Sequence, residues 1–68
     1  MKIKINGEEK FINGGLSLNE LIENELNTKE PKGVAVALNE MIVAKQKWGE
    51  TFIKDNDEIE IVRAVQGG

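Results

Sequence analysis

Leu16-Ser17-Leu18-Asn19-Glu20-Leu21-Ile22-Glu23-Asn24-Glu25-Leu26 is the stretch that decides how this chain folds. Ser17 can cap a helix, and Glu20 stands three residues on, which completes a capping box. Leu16 precedes the cap and Leu21 occupies the fourth helical position, the spacing of a hydrophobic staple. Leu18, Leu21, Ile22 and Leu26 fall on one stripe at the 3.6-residue period, while Asn19, Glu20, Glu23 and Asn24 point elsewhere. The helix is expected to end near Leu26 or Asn27, since Pro31 forbids simple continuation and Gly33 closes the loop. A helix with one apolar stripe must bury that stripe against another layer.

The flanking sequence supplies that layer. Upstream, Met1, Ile3 and Ile5 alternate with Lys2 and Lys4, the period of a strand with one buried face. Asn6-Gly7 is the strongest short hairpin signal, because both central residues of a type I′ turn need positive φ. Glu8 to Ile12 is the return strand, broken by Asn13-Gly14-Gly15. Its register has two solutions. A strict two-residue turn sets Glu8 opposite Ile5 and Lys10 opposite Ile3, which wastes the buried face. A three-residue loop sets Phe11 opposite Ile3 and is preferred here. Downstream, Val34 to Leu38 is an apolar run that suits a strand buried on both sides, or one with small outward residues. Asn39-Glu40 turns the chain into a short strand, Met41 to Ala44. Lys45 to Glu50 reads as irregular, with Trp48 as a packing anchor. Thr51 to Ile53 returns towards the sheet, and Asp55-Asn56-Asp57 is a turn cluster. Glu58 to Val65 is the last strand, with Ile59 and Ile61 on one side and Glu58, Glu60 and Val62 on the other.

The order is strand, strand, helix, strand, short strand, strand. The best two-layer solution is an α+β fold of the β-grasp, or ubiquitin-like, type. It has a mixed four- to five-stranded sheet, with the first and last strands parallel in the middle and one main helix packed on one face. The expected organisation is one β-grasp domain over residues 1–65 and a flexible C-terminal Gly-Gly tail over 66–68.

Composition excludes much. At 68 residues there is room for one small domain, and for little in the way of an enclosed pocket. With no Cys, no His and no Tyr, disulfide frameworks, Cys/His zinc sites and Ser-His-Asp or Cys-His nucleophilic systems are absent. The expectation is a protein that works with a partner and is not itself an enzyme. Nine Lys and Arg against twelve Asp and Glu give a net charge of -3, the wrong sign for a nucleic-acid binder. No apolar run approaches the roughly 20 residues that span a bilayer. No nucleic acid and no membrane are expected as partners, and a cytoplasmic location is the default.

The internal motifs have bland readings. Asp55-Asn56-Asp57-Glu58 hints at calcium, but Ile59 stands where an EF-hand loop needs a further oxygen ligand, so it reads as a turn and no metal site is expected. Glu8, Glu9, Glu20, Glu23 and Glu25 are scattered or on the helix surface, without the pairing that tunes acid–base work. Gly67-Gly68 is different. An internal pair such as Gly14-Gly15 has an ordinary loop explanation, whereas nothing follows Gly68 that needs a turn. Without Cβ atoms the tail Gln66-Gly67-Gly68 is a thin stem, able to enter a narrow channel and present its carboxylate for activation.

A β-grasp of this length ending in Gly-Gly resembles the sulfur-carrier proteins of thiamine biosynthesis, the ThiS family. The resemblance covers the whole chain. It lies chiefly in Ile3-Lys4-Ile5-Asn6-Gly7, in Val36-Ala37-Leu38-Asn39 with Ile42-Val43 and Trp48, and in Asp55, Asp57, Ile59, Val65, Gly67 and Gly68. The chain departs from the family pattern at Ala44-Lys45, where Pro-Arg is frequent, and at Asn56, where Gly is. The resemblance implies a cycle on Gly68. An E1-like adenylating enzyme joins its carboxylate to AMP, using ATP and magnesium. A persulfide sulfur donor then displaces AMP to leave a thiocarboxylate, which donates sulfur to thiazole synthase. The chain itself binds no cofactor in that cycle. A molybdopterin-synthase-type sulfur carrier and a ubiquitin-like protein modifier share the tail and are the alternatives. From the strand parity, Val62 and Ala64 are expected on an open patch leading into the tail, where a partner docks.

Overall fold

Helix α1 spans Leu18–Leu26, and its start is built as the sequence directs. The Ser17 hydroxyl accepts from the Glu20 amide at 3.1 Å, and the Ser17 amide donates to Glu20 Oε1 at 3.1 Å. Asn27 ends the helix in the left-handed region at φ 55°, and its amide donates to the Glu23 carbonyl. That arrangement satisfies a terminal carbonyl without a glycine. The computed structural model describes residues 1–29 and 32–63, so Pro31 lies outside the described residues.

Five strands accompany the helix: β1 (Lys2–Ile5), β2 (Glu8–Phe11), β3 (Val34–Leu38), β4 (Met41–Ile42) and β5 (Glu58–Arg63). They form one sheet in the order β2-β1-β5-β3-β4. The two central strands, β1 and β5, are parallel, and the other pairings are antiparallel. This is the expected mixed β-grasp sheet, and the helix covers one of its faces.

The core lies between those layers. Ile3 and Ile5 from β1, Ile59 from β5 and Val36 from β3 meet Leu18, Leu21 and Ile22 from α1. Trp48 and Ile53 close the remaining side. Burial of one such side chain contributes about 1.5–3 kcal/mol, against a whole-domain stability of about 3–10 kcal/mol at this size. Trp48 is 1% exposed, and its indole N–H donates to the Val43 carbonyl at 3.0 Å, so its polar tip is not stranded.

Four expectations need correction. The hairpin takes the two-residue turn: Ile5 pairs with Glu8, Ile3 with Lys10 and Lys2 with Phe11. Asn6 at φ 51° and Gly7 at φ 84° are the two positive-φ positions of a type I′ turn. Turn geometry therefore outranked apolar matching. The buried face is not wasted, because the Lys10 stem lies along the core edge and its ammonium pairs with Glu25 of α1. Phe11 instead stands 79% exposed on the opposite face. The second correction is Lys45–Glu50, which is a 3₁₀ helix and not irregular. The third is Thr51 to Ile53, which pairs with the chain leading into α1 and not with the main sheet. The Leu18 amide donates to the Thr51 carbonyl at 2.6 Å, and the Ile53 amide to the Leu16 carbonyl at 3.0 Å. The fourth is β4, which stops at Ile42 because Ala44 already caps the 3₁₀ helix.

Candidate functional site

β5 is the middle strand of the sheet and is flanked on both sides, by β1 and by β3. Val34, Ala35 and Val36 of β3 pair with Arg63, Val62 and Ile61 on one side. On the other side, β1 pairs in register only as far as Ile5 opposite Ile59. The Asn6 amide still donates to the Ile59 carbonyl at 2.9 Å. Beyond that point the Asn6 side chain takes over. Its Oδ1 accepts from the Ile61 amide at 2.8 Å, and its Nδ2 approaches the Ile61 carbonyl at 3.4 Å.

The expected modified residue Gly68, with Gln66, Gly67 and the expected patch residue Ala64, lies outside the described residues, as does the boundary between residues 65 and 66. Val62 is described. It stands 60% exposed on the face that the helix leaves open. Register shows what surrounds it. Ala35 is opposite Val62, and Ala37 is opposite both Glu60 and Ile42, so Val62, Ala35, Ala37 and Ile42 share the open face. Directly opposed Cβ atoms lie about 5 Å apart, so Val62 meets Ala35 and Ala37 meets Ile42 in an apolar strip across β5, β3 and β4, which Glu60, opposite Ala37, borders on β5. The two alanines form its floor, and Ile42, 76% exposed, forms its far wall. The other half of the face is charged: Lys2, Lys4, Glu9 and Glu58 lie side by side, with Phe11 at the outer strand.

Sequence parity found Val62 but missed Ala35, Ala37 and Ile42. The signal was present in the alternation of Val34-Ala35-Val36-Ala37-Leu38, where the large residues face the helix and the small ones the open side.

The acidic turn is structural. Asp55 Oδ1 accepts from the Lys2 amide at 2.8 Å. Asp57 is buried, and accepts from Asn39 Nδ2 at 3.0 Å and from the Lys54 amide at 2.7 Å. These bonds tie the turn to β1 and to the Asn39-Glu40 turn. Among the described residues no three metal-ligating side chains converge, and no helix is long and apolar enough to cross a membrane.

Comparison with known proteins gives concordant results. The model of the ThiS family matches residues 3–68. The sulfur carrier protein ThiS of Escherichia coli K12 is 29% identical over 68 residues, which is all of both chains. A thiazole synthase of Paramagnetospirillum magneticum is 37% identical over the same 68 residues, which are 20% of its own length. The crystal structure of the thiamine biosynthesis protein ThiS from Geobacter metallireducens superposes with a TM-score of 0.80 at 27% identity, again over all of both chains.

Proposed function

The chain belongs to the ThiS family, the sulfur carriers of thiamine biosynthesis, and from that premise we propose that it carries sulfur on the carboxylate of Gly68. The supporting observation is that the family match runs through Gly67-Gly68 to residue 68.

A carboxylate is a poor electrophile, so it must first be activated. In the proposed cycle a Gly68 carboxylate oxygen attacks the α-phosphorus of ATP in an E1-like adenylating partner, with magnesium held there, and pyrophosphate leaves. The terminal sulfur of a partner persulfide then attacks the acyl carbon and AMP leaves. A partner thiol takes the remaining persulfide sulfur as a disulfide, which releases the thiocarboxylate. The thiocarboxylate passes sulfur to thiazole synthase. The match to a segment of a thiazole synthase supports that partnership, since it places a chain like this one within the same polypeptide. With no Cys or His to act as nucleophile or relay, this chain serves the cycle as co-substrate and not as enzyme. A cytoplasmic setting, where ATP is available, suits it.

The strip of Val62, Ala35, Ala37 and Ile42 is the proposed docking surface for the adenylating partner. Exposed apolar residues gathered on one open face mark a contact site.

Removing Gly67 and Gly68 tests the terminus. The truncated chain is expected to keep its far-ultraviolet spectrum and melting temperature, and to lose all carrier-dependent exchange between ATP and pyrophosphate in the adenylating partner. Undiminished exchange by the truncated chain would refute activation at Gly68.

A further inference from the structure

We propose that Asn6 is a positioning residue for the carrier reaction: its carboxamide holds the last turn-side hydrogen bonds of β5 and so fixes Ile61, the strand residue from which the sequence runs on to its reactive terminus. The proposal rests on the carrier reading above.

Asn6 has an ordinary explanation as the first residue of a type I′ turn, where positive φ is required. Glycine meets that requirement as well, so the turn does not account for the side chain. The parallel ladder does. The Lys4 amide donates to the Asp57 carbonyl at 3.0 Å, and the Asn6 amide to the Ile59 carbonyl at 2.9 Å. Residues 57, 59 and 61 therefore direct their backbone groups towards β1. The next bonds in the ladder would need an acceptor at residue 6 and a donor at residue 8. The hairpin removes both, because Asn6 turns at φ 51° and Glu8 already pairs back to Ile5 in β2.

A carboxamide carries one carbonyl and an N–H donor in the same plane, as a peptide group does. The Asn6 side chain fills the gap with those groups, accepting from the Ile61 amide at 2.8 Å and facing the Ile61 carbonyl with Nδ2 at 3.4 Å. Held by β3 on its other edge, Ile61 is thereby fixed on both sides beyond the point where β1 ends, and Val62 and Arg63 are held by β3 alone. Val62 of the docking strip sits one residue past the clamp. Val62 of the strip thus follows directly on a fixed residue. Productive reaction needs the carboxylate delivered within about 1 Å of its target, so looseness introduced at Ile61 is expected to lower the rate.

The test compares wild type, Asn6→Gly and Asn6→Asp in steady-state adenylation by the partner enzyme, with amide exchange at Ile61 followed by NMR. Asn6→Gly keeps the positive-φ turn and removes only the carboxamide. It is expected to fold, to exchange the Ile61 amide about tenfold faster, and to lower kcat about tenfold with KM for the carrier changed less than about twofold. Asn6→Asp keeps an oxygen for the Ile61 amide, and is expected to recover the exchange protection and most of kcat. Wild-type kcat in Asn6→Gly, or equal losses in both variants, overturns the positioning role. A loss confined to KM also overturns it, since that would assign Asn6 to docking. A wild-type chain that is not adenylated overturns the carrier reading, and the role of Asn6 falls with it.

Discussion

Phe11 and Ile3 are both large apolar residues of the first hairpin, yet they occupy opposite environments. Ile3 is 1% exposed in the core, whereas Phe11 is opposite Lys2 on the open face. Their substitution costs should differ accordingly. Ile3→Ala is expected to lose about 2–5 kcal/mol, from the lost transfer energy and the cavity left behind. Phe11→Lys is expected to stay within about 0.5 kcal/mol of wild type, as surface changes do. Urea unfolding of both variants checks this. A loss of several kcal/mol in Phe11→Lys would contradict the two-residue turn and restore the register in which Phe11 faces Ile3. The hairpin itself was legible from Asn6-Gly7, but its register was not. Matching apolar residues across strands assumes that β2 shares the core, and an edge strand that contributes a lysine stem breaks that assumption. The second duty of Asn6 was also hidden, because the turn already accounts for an asparagine there.

Elements were legible where local chemistry and periodicity agreed. In α1 the cap, the acidic third position and the apolar stripe all specify one start and one face, and the structure has both. The Thr51 to Ile53 segment was misplaced because a short extended run does not reveal its partner, which proved to be the chain before α1. The open face was half legible. Parity along β5 placed Val62, but alanines give no signal of an exposed surface until register sets Ala35 beside Val62 and Ala37 beside Ile42. A prediction belongs to this strip as a unit. Val62→Asp puts a charge at its β5 end, and should change stability by no more than about 1 kcal/mol at this exposed strand position. It should weaken binding to the adenylating partner at least about tenfold, the loss of one large apolar contact. Titration calorimetry reads both partners directly. Unchanged affinity in a folded Val62→Asp chain would remove the strip as the docking surface.

At the scale of the molecule, a small β-grasp core supports two neighbouring features, an apolar strip and a strand root, and neither requires a reactive side chain. Nine buried apolar residues among those described form that core, and β1 and β5 pair in parallel inside the sheet. The carrier reading was accessible from sequence through the family resemblance carried by Ile3-Lys4-Ile5-Asn6-Gly7, Val36-Ala37-Leu38-Asn39 and Gly67-Gly68, and the family match bears that resemblance out. The central claim is that sulfur is carried at Gly68. Its most direct test is the intact mass of the chain after incubation with ATP, magnesium, the adenylating enzyme and a persulfide donor, with fragmentation to locate any change. The account predicts a gain equal to one oxygen exchanged for one sulfur, confined to Gly68. An unchanged mass with partners shown to be active, or a change located at any other residue, would contradict it.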